Sequence, residues 1–145
     1  MRARKFFRSE KATVLVEFAM VLPIFLLIAW CVIDFARAYY TLNSLSAAVR
    51  EGARVAVVGK DYGNSADSAA GVAAAKARVT QAFNSFGGSP IPPDSIKVVP
   101  DTVAGTVTVT VKGYTWNTST PINIINGGQI IMTRTATFRI ERFGS

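Results

Sequence analysis

The sequence predicts an α+β protein: a long amino-terminal transmembrane helix that runs on as an amphipathic helix, a second helix, and then a small antiparallel sheet of about three strands. Three observations predict it. The segment Thr13 to Arg37, TVLVEFAMVLPIFLLIAWCVIDFAR, holds an uncharged run from Phe18 to Ile33. Two later stretches repeat their apolar residues at the helical period. Two more alternate apolar and polar residues as strands do. At 145 residues the chain has room for one membrane segment and one small domain.

The leader, residues 1–12 (MRARKFFRSEKA), has no periodicity and reads as frayed chain. It sets Arg2, Arg4, Lys5, Arg8 and Lys11 against Glu10 alone. Without it, the formal charge of +7 falls to +3, with eleven basic and eight acidic residues left. Basic residues beside a first apolar segment are retained on the cytoplasmic side, so the excess is a topology signal. The uncharged run would be about 24 Å long as helix, and about 35 Å if extended through Val14 and Ala36. That is enough to span a hydrocarbon core of about 30 Å with some tilt. The expected division is a basic leader (1–12), a transmembrane helix (13–38) and an extracytoplasmic head (39–145). A secretory signal cut after Ala38 competes, because Ala36-Arg37-Ala38 has the small-x-small pattern. Against it stand the length of the run and the charges Glu17, Asp34 and Arg37.

Glu17 lies one turn inside the apolar segment, where a carboxylate costs at least a few kcal/mol without a partner. Either it lies at headgroup level, served by Lys11 and Arg8, or it has a role. Pro23 removes one helical hydrogen bond and tends to kink the helix, which membrane helices tolerate. Trp30 suits an interfacial anchor. Asp34 and Arg37, three apart at the far edge, are expected to form a solvated pair that marks the exit.

The segment ATVLVEFAMVLPIFLLI, followed by alanine-rich helix and a β-rich domain, resembles the TadE-like minor pilins (pseudopilins) of bacterial tight-adherence pilus systems. Glu17, Phe18 and Pro23 match the family pattern, and Ala12 stands where the family usually has glycine. The resemblance implies a pilin-like fold and processing by a prepilin peptidase between Ala12 and Thr13. Cleavage would create an amine at Thr13, four residues from Glu17 and so a neighbour on the same helix face. That amine, or the one on an adjoining subunit, would satisfy the buried carboxylate. The resemblance further implies, as partners, the lipid bilayer, other pilin or pseudopilin subunits and the tight-adherence assembly machinery. The expected location is the bacterial cytoplasmic membrane, with the amino terminus cytoplasmic, or a surface pilus.

Past the membrane, Leu42, Leu45, Val49, Ala53, Ala56 and Val57 form an apolar stripe, stopped by Gly59-Lys60-Asp61-Tyr62-Gly63-Asn64. A second helix is expected from Ser65 to Phe86. Its apolar face is Val72, Ala75, Val79, Ala82, Phe83 and Phe86, and Gly87-Gly88 ends it. Alanine in both helices favours close packing of their axes. Ile96, Val98 and Val99 make a short strand expected to stop at Pro100. Gly105 to Lys112 alternates valine and threonine, and Gly113 is expected to permit a bulge or bend before Tyr114 and Trp116. The loop Asn117 to Gln129 carries Ile122, Ile124 and Ile125, which suit docking on a membrane, a neighbouring subunit or the domain's own rim. In the last strand, Ile130 to Ile140, Arg134 falls on the apolar face and is expected near an edge, its head reaching water. The threonine face is solvated surface or an edge for β-augmentation.

No catalytic site, metal or cofactor is expected. Histidine is absent and Cys31 is the single cysteine, so nucleophilic triads and thiol chemistry are poorly supplied. The basic residues beyond Arg37 are scattered without aromatic interleaving, so no nucleic-acid partner is expected. The leading expectation is a structural subunit of a tight-adherence pilus or related secretion apparatus. The alternative is an uncleaved single-pass anchor whose outer domain binds another envelope protein.

Overall fold

A computed structural model describes residues 10–58, 61–119 and 126–140. The leader up to residue 9, the Gly59-Lys60 stop, Ile122, Ile124, Ile125 and Glu141 lie outside the described residues.

Helix α1 (Glu10–Val57, 48 residues) is one continuous helix of about 72 Å. It begins three residues before Thr13, because Glu10, Lys11 and Ala12 are all good helix formers. It also passes residues 38 and 39, the expected boundary of the head, without a break. Its two halves meet different surroundings. From Val14 to Phe35 the large apolar side chains stand bare all round the helix, with Leu15 at 69 %, Met20 at 73 % and Phe35 at 74 % exposure. From Leu42 onward the predicted stripe is covered: Leu45, Val49, Ala53, Ala56 and Val57 are buried, together with Ala48.

The turn after α1 contains a core residue. Tyr62 is buried, and its hydroxyl donates to the Ala56 carbonyl at 2.6 Å, satisfying one of the carbonyls that a helix end leaves open. Asn64 then caps α2 (Ser65–Ser85), its Oδ1 accepting the Ala66 N–H at 3.0 Å. At the far end Gly87 takes φ +75°, its N–H reaches Asn84 O, and the Gly88 N–H reaches Phe83 O. This pair of bonds is a Schellman termination, and the helix stops at the two glycines as expected. It leaves Phe86 outside the helix and 42 % exposed, so Phe86 does not complete the apolar face as expected. The buried face is Gly71, Ala75, Val79, Ala82 and Phe83.

Helices α1 and α2 approach closely at Gly52. A Cβ placed there would stand 2.2 Å from Val79 Cγ2 and 3.1 Å from the Ala75 carbonyl oxygen. Glu51 and Arg78 join the same two helices at their rim with a 2.9 Å ion pair. Both side chains are more than a third exposed, so the pair adds little stability.

The sheet is a meander in the order β1 (Ile96–Asp101), β2 (Thr106–Asn117) and β3 (Gln129–Arg139), all antiparallel. Pro100 does not end β1. It lies in register with Val107, and an edge strand tolerates the missing donor. The inner face carries Ile96, Val107, Val109, Val111 and Met132, all buried against the helices. On the outer face, Thr108 meets Thr137 and Thr110 meets Thr135, each pair 3.0 Å between hydroxyl oxygens. Between Val111 and Tyr114 the register shifts by a residue, with Gly113 at φ +74°. Simple alternation would have turned Tyr114 outward. The bulge keeps it inside, edge-on to Phe83 with ring centroids 5.1 Å apart. Arg134 lies on β3, an edge strand as expected, but is half-buried, and its Nε has no hydrogen-bond partner among the described residues. Complete burial of Phe83, Leu45, Val49 and Val79 contributes roughly 1.5–3 kcal/mol each.

Candidate assembly and processing segment

The five residues singled out in the sequence all lie on the bare half of α1. Ala12 is half-buried, whereas Thr13, Glu17, Phe18 and Pro23 are exposed. Thr13 and Glu17 are separated by four residues of helix, about 6 Å of rise, and therefore share a face. No hydrogen bond or ion pair reaches the Glu17 carboxylate among the described residues. Around it Val14, Val16, Phe18 and Val21 are more than half exposed. Pro23 stands inside an otherwise regular helix, so the carbonyl of Ala19 lacks the N–H it would ordinarily accept.

About 26 Å along the axis from Glu17, the helix meets the head at Asp34. Here the structure corrects the expected solvated pair. Asp34 is only 7 % exposed, and its two carboxylate oxygens lie 3.3 and 3.1 Å from the backbone N–H donor of Ser119. Arg37 Nη1 donates to the Ser119 hydroxyl at 3.0 Å. Both charges thus converge on the segment that follows β2, where the Thr118 N–H also closes onto Gly128 O at 2.8 Å. The apolar run ends in a clasp between helix and sheet. Sequence reading missed it because the partners are 85 positions apart; the available signal was an acid placed directly after sixteen uncharged residues.

Above the clasp Tyr40 donates to the Phe86 carbonyl at 3.4 Å, joining α1 to the end of α2. The distance from Val14 to Ile33 is about 30 Å of helix, matching a hydrocarbon core, with Glu17 one turn from one end and Asp34 just past the other. Among the described residues this is the one helix long and apolar enough to cross a membrane, which points to membrane anchoring. No grouping of acidic or cysteine side chains suited to a metal occurs among the described residues. Burial of its hydroxyl raises the Tyr62 pKa above the ordinary 10.0.

Residues 12–54 match the family model described as TadE-like protein. The match spans the bare half of α1 and most of its buried half, and it agrees with the resemblance carried by Glu17, Phe18 and Pro23. It covers under a third of the chain, all of it within α1. No curated protein matches the chain, and no solved structure does.

Proposed function

Because residues 12–54 are TadE-like, we propose that this chain is a minor pilin or pseudopilin, cleaved by a prepilin peptidase between Ala12 and Thr13 and used in assembling a tight-adherence pilus or related secretion apparatus. The observation that carries the reading is Glu17, a carboxylate standing on a bare apolar helix with no partner of its own among the described residues. Leaving such a charge unpaired in hydrocarbon is costly, and a new amine at Thr13 supplies its counter-charge within one turn. The amine of a neighbouring subunit would serve equally, which couples neutralisation to assembly. Ala12 offers the small side chain that cleavage at the membrane surface requires. The basic leader directs residues 1–12 to the cytoplasm and the head, residues 39–145, to the other side.

Mass spectrometry of the amino terminus in native membranes tests this directly. A Thr13 start is expected; a Met1 start would identify an uncleaved anchor, and a Tyr39 start a released head. Glu17→Ala is expected to leave membrane insertion intact while reducing incorporation into assembled fibres. Unchanged assembly would remove the role given to that carboxylate.

A further inference from the structure

The clasp at Asp34 borders a groove that the assembly reading leaves unused. It measures about 510 Å³, within the ~300–1,000 Å³ range of ligand sites. One wall is α1 from Ile33 to Ser44; the others are the end of α2 and the β2 segment past the bulge. Its aromatic surface comes from Tyr40, Phe83, Phe86, Tyr114 and Trp116. Arg37 is the single charged residue among the described residues that line it. Asp34, the nearest acid in sequence, is occupied by the Ser119 N–H.

Two features identify the occupant. The groove is continuous with the bare apolar surface, because Ile33 and Ala36 form its lower edge and Ile33 is itself 55 % exposed. Arg37 lies four residues, about 6 Å, beyond Ile33. If the hydrocarbon ends near Ile33, Arg37 lies at headgroup depth, since the polar zone on each side adds roughly 5–8 Å. Tyrosine and tryptophan collect at that level, where one part of the ring is wet and the other apolar. A guanidinium with five donors keeps several free after serving Ser119, and its planar fork matches phosphate oxygens. We infer that this groove seats the headgroup of an anionic phospholipid of the surrounding bilayer, with Arg37 on the phosphate and the upper acyl chain along Ile33 and Ala36. The inference rests on α1 spanning the membrane as proposed above.

The chain has two tryptophans, Trp30 in the span and Trp116 in the groove, so each can be made the sole reporter. The full-length Trp30→Phe protein is reconstituted into phosphatidylcholine vesicles. These contain a small fixed fraction of either phosphatidylglycerol or phosphatidylcholine, spin-labelled high on one acyl chain. Labelled phosphatidylglycerol is expected to quench Trp116 with about fivefold preference over labelled phosphatidylcholine, the size one arginine contributes at an anionic surface. Arg37→Gln should abolish the preference and Arg37→Lys should retain most of it. Equal quenching by both lipids, or a preference that survives Arg37→Gln, overturns the inference. The Trp116→Phe protein, reporting from Trp30, separates the two readings. If Trp30 is quenched by both lipids while Trp116 shows no headgroup preference, the groove assignment alone falls. If Trp30 escapes quenching, the spanning helix falls and the groove assignment with it.

Discussion

Replacing Gly52 by alanine probes the close approach of α1 and α2. The new Cβ would lie 2.2 Å from Val79 Cγ2, well inside van der Waals contact, with the Ala75 carbonyl oxygen of the same helix at 3.1 Å. Val79 is fully buried and β-branched, so its methyl has little room to turn away. Relief therefore requires α1 and α2 to separate, and overpacking of this kind costs about 1–3 kcal/mol. Alanine's better helix propensity returns at most about 1 kcal/mol. A contact this short places the cost at the upper end of that range, so the net expectation is a loss of about 2 kcal/mol, which in a domain of this size lowers the melting temperature by very roughly 8–16 °C. Thermal unfolding of the full chain in detergent, followed by circular dichroism, measures it. Val79→Ala removes the obstructing methyls and by itself costs roughly 1.6 kcal/mol for two buried carbons. In the double variant the two losses should fall short of their sum by about 0.5–3 kcal/mol. A Gly52→Ala protein as stable as the parent, or strictly additive losses, would refute the close-approach account.

Two further changes test the ends of α1's buried half. Tyr62→Phe deletes the hydroxyl that donates to Ala56 O and should cost about 0.5–1.5 kcal/mol near neutral pH. Burial raises the Tyr62 pKa above its ordinary 10.0, so the folded state favours the protonated phenol. Its contribution is complete below pH 10 and disappears as pH rises through the raised value; Tyr62→Phe should lose less stability over that alkaline window than the parent, as denaturant titrations at several pH values would show. Asp34→Ala strands the Ser119 N–H and should cost about 1–3 kcal/mol, with faster exchange of that amide by mass spectrometry. Asp34→Asn keeps an acceptor and should be milder.

Much of this architecture could be read from local patterns. The valine and threonine alternation of residues 105–112 named the inner and outer faces of β2, and Gly113 marked a place for a bulge or bend, of which the structure takes the bulge. The stripe from Leu45 to Val57 marked the buried half of α1, and the paired glycines after Phe86 marked the end of α2. Residues whose role depends on distant partners gave no such signal. Tyr62 looked like punctuation within a glycine-containing turn, yet it is core. Gly52 was one small residue among many, and only the approach of Val79 makes it special. Pro100 reads as a stop unless its strand is known to be an edge. The Asp34 and Arg37 pair was visible, but spacing alone favoured a local ion pair over a shared serine far along the chain.

The unbroken course of α1 also makes the chain behave as a geared shaft. In an α-helix, translation and rotation are locked together, at about 1.5 Å and 100° for each residue. Adding one residue between Phe35 and Leu42 would hardly lift the sheet and its helices, yet it would swing them by more than a quarter circle about the shaft. The bearing of the outer domain relative to Glu17 is therefore fixed by residue number, and a neighbouring copy would meet a different flank of it after a single insertion.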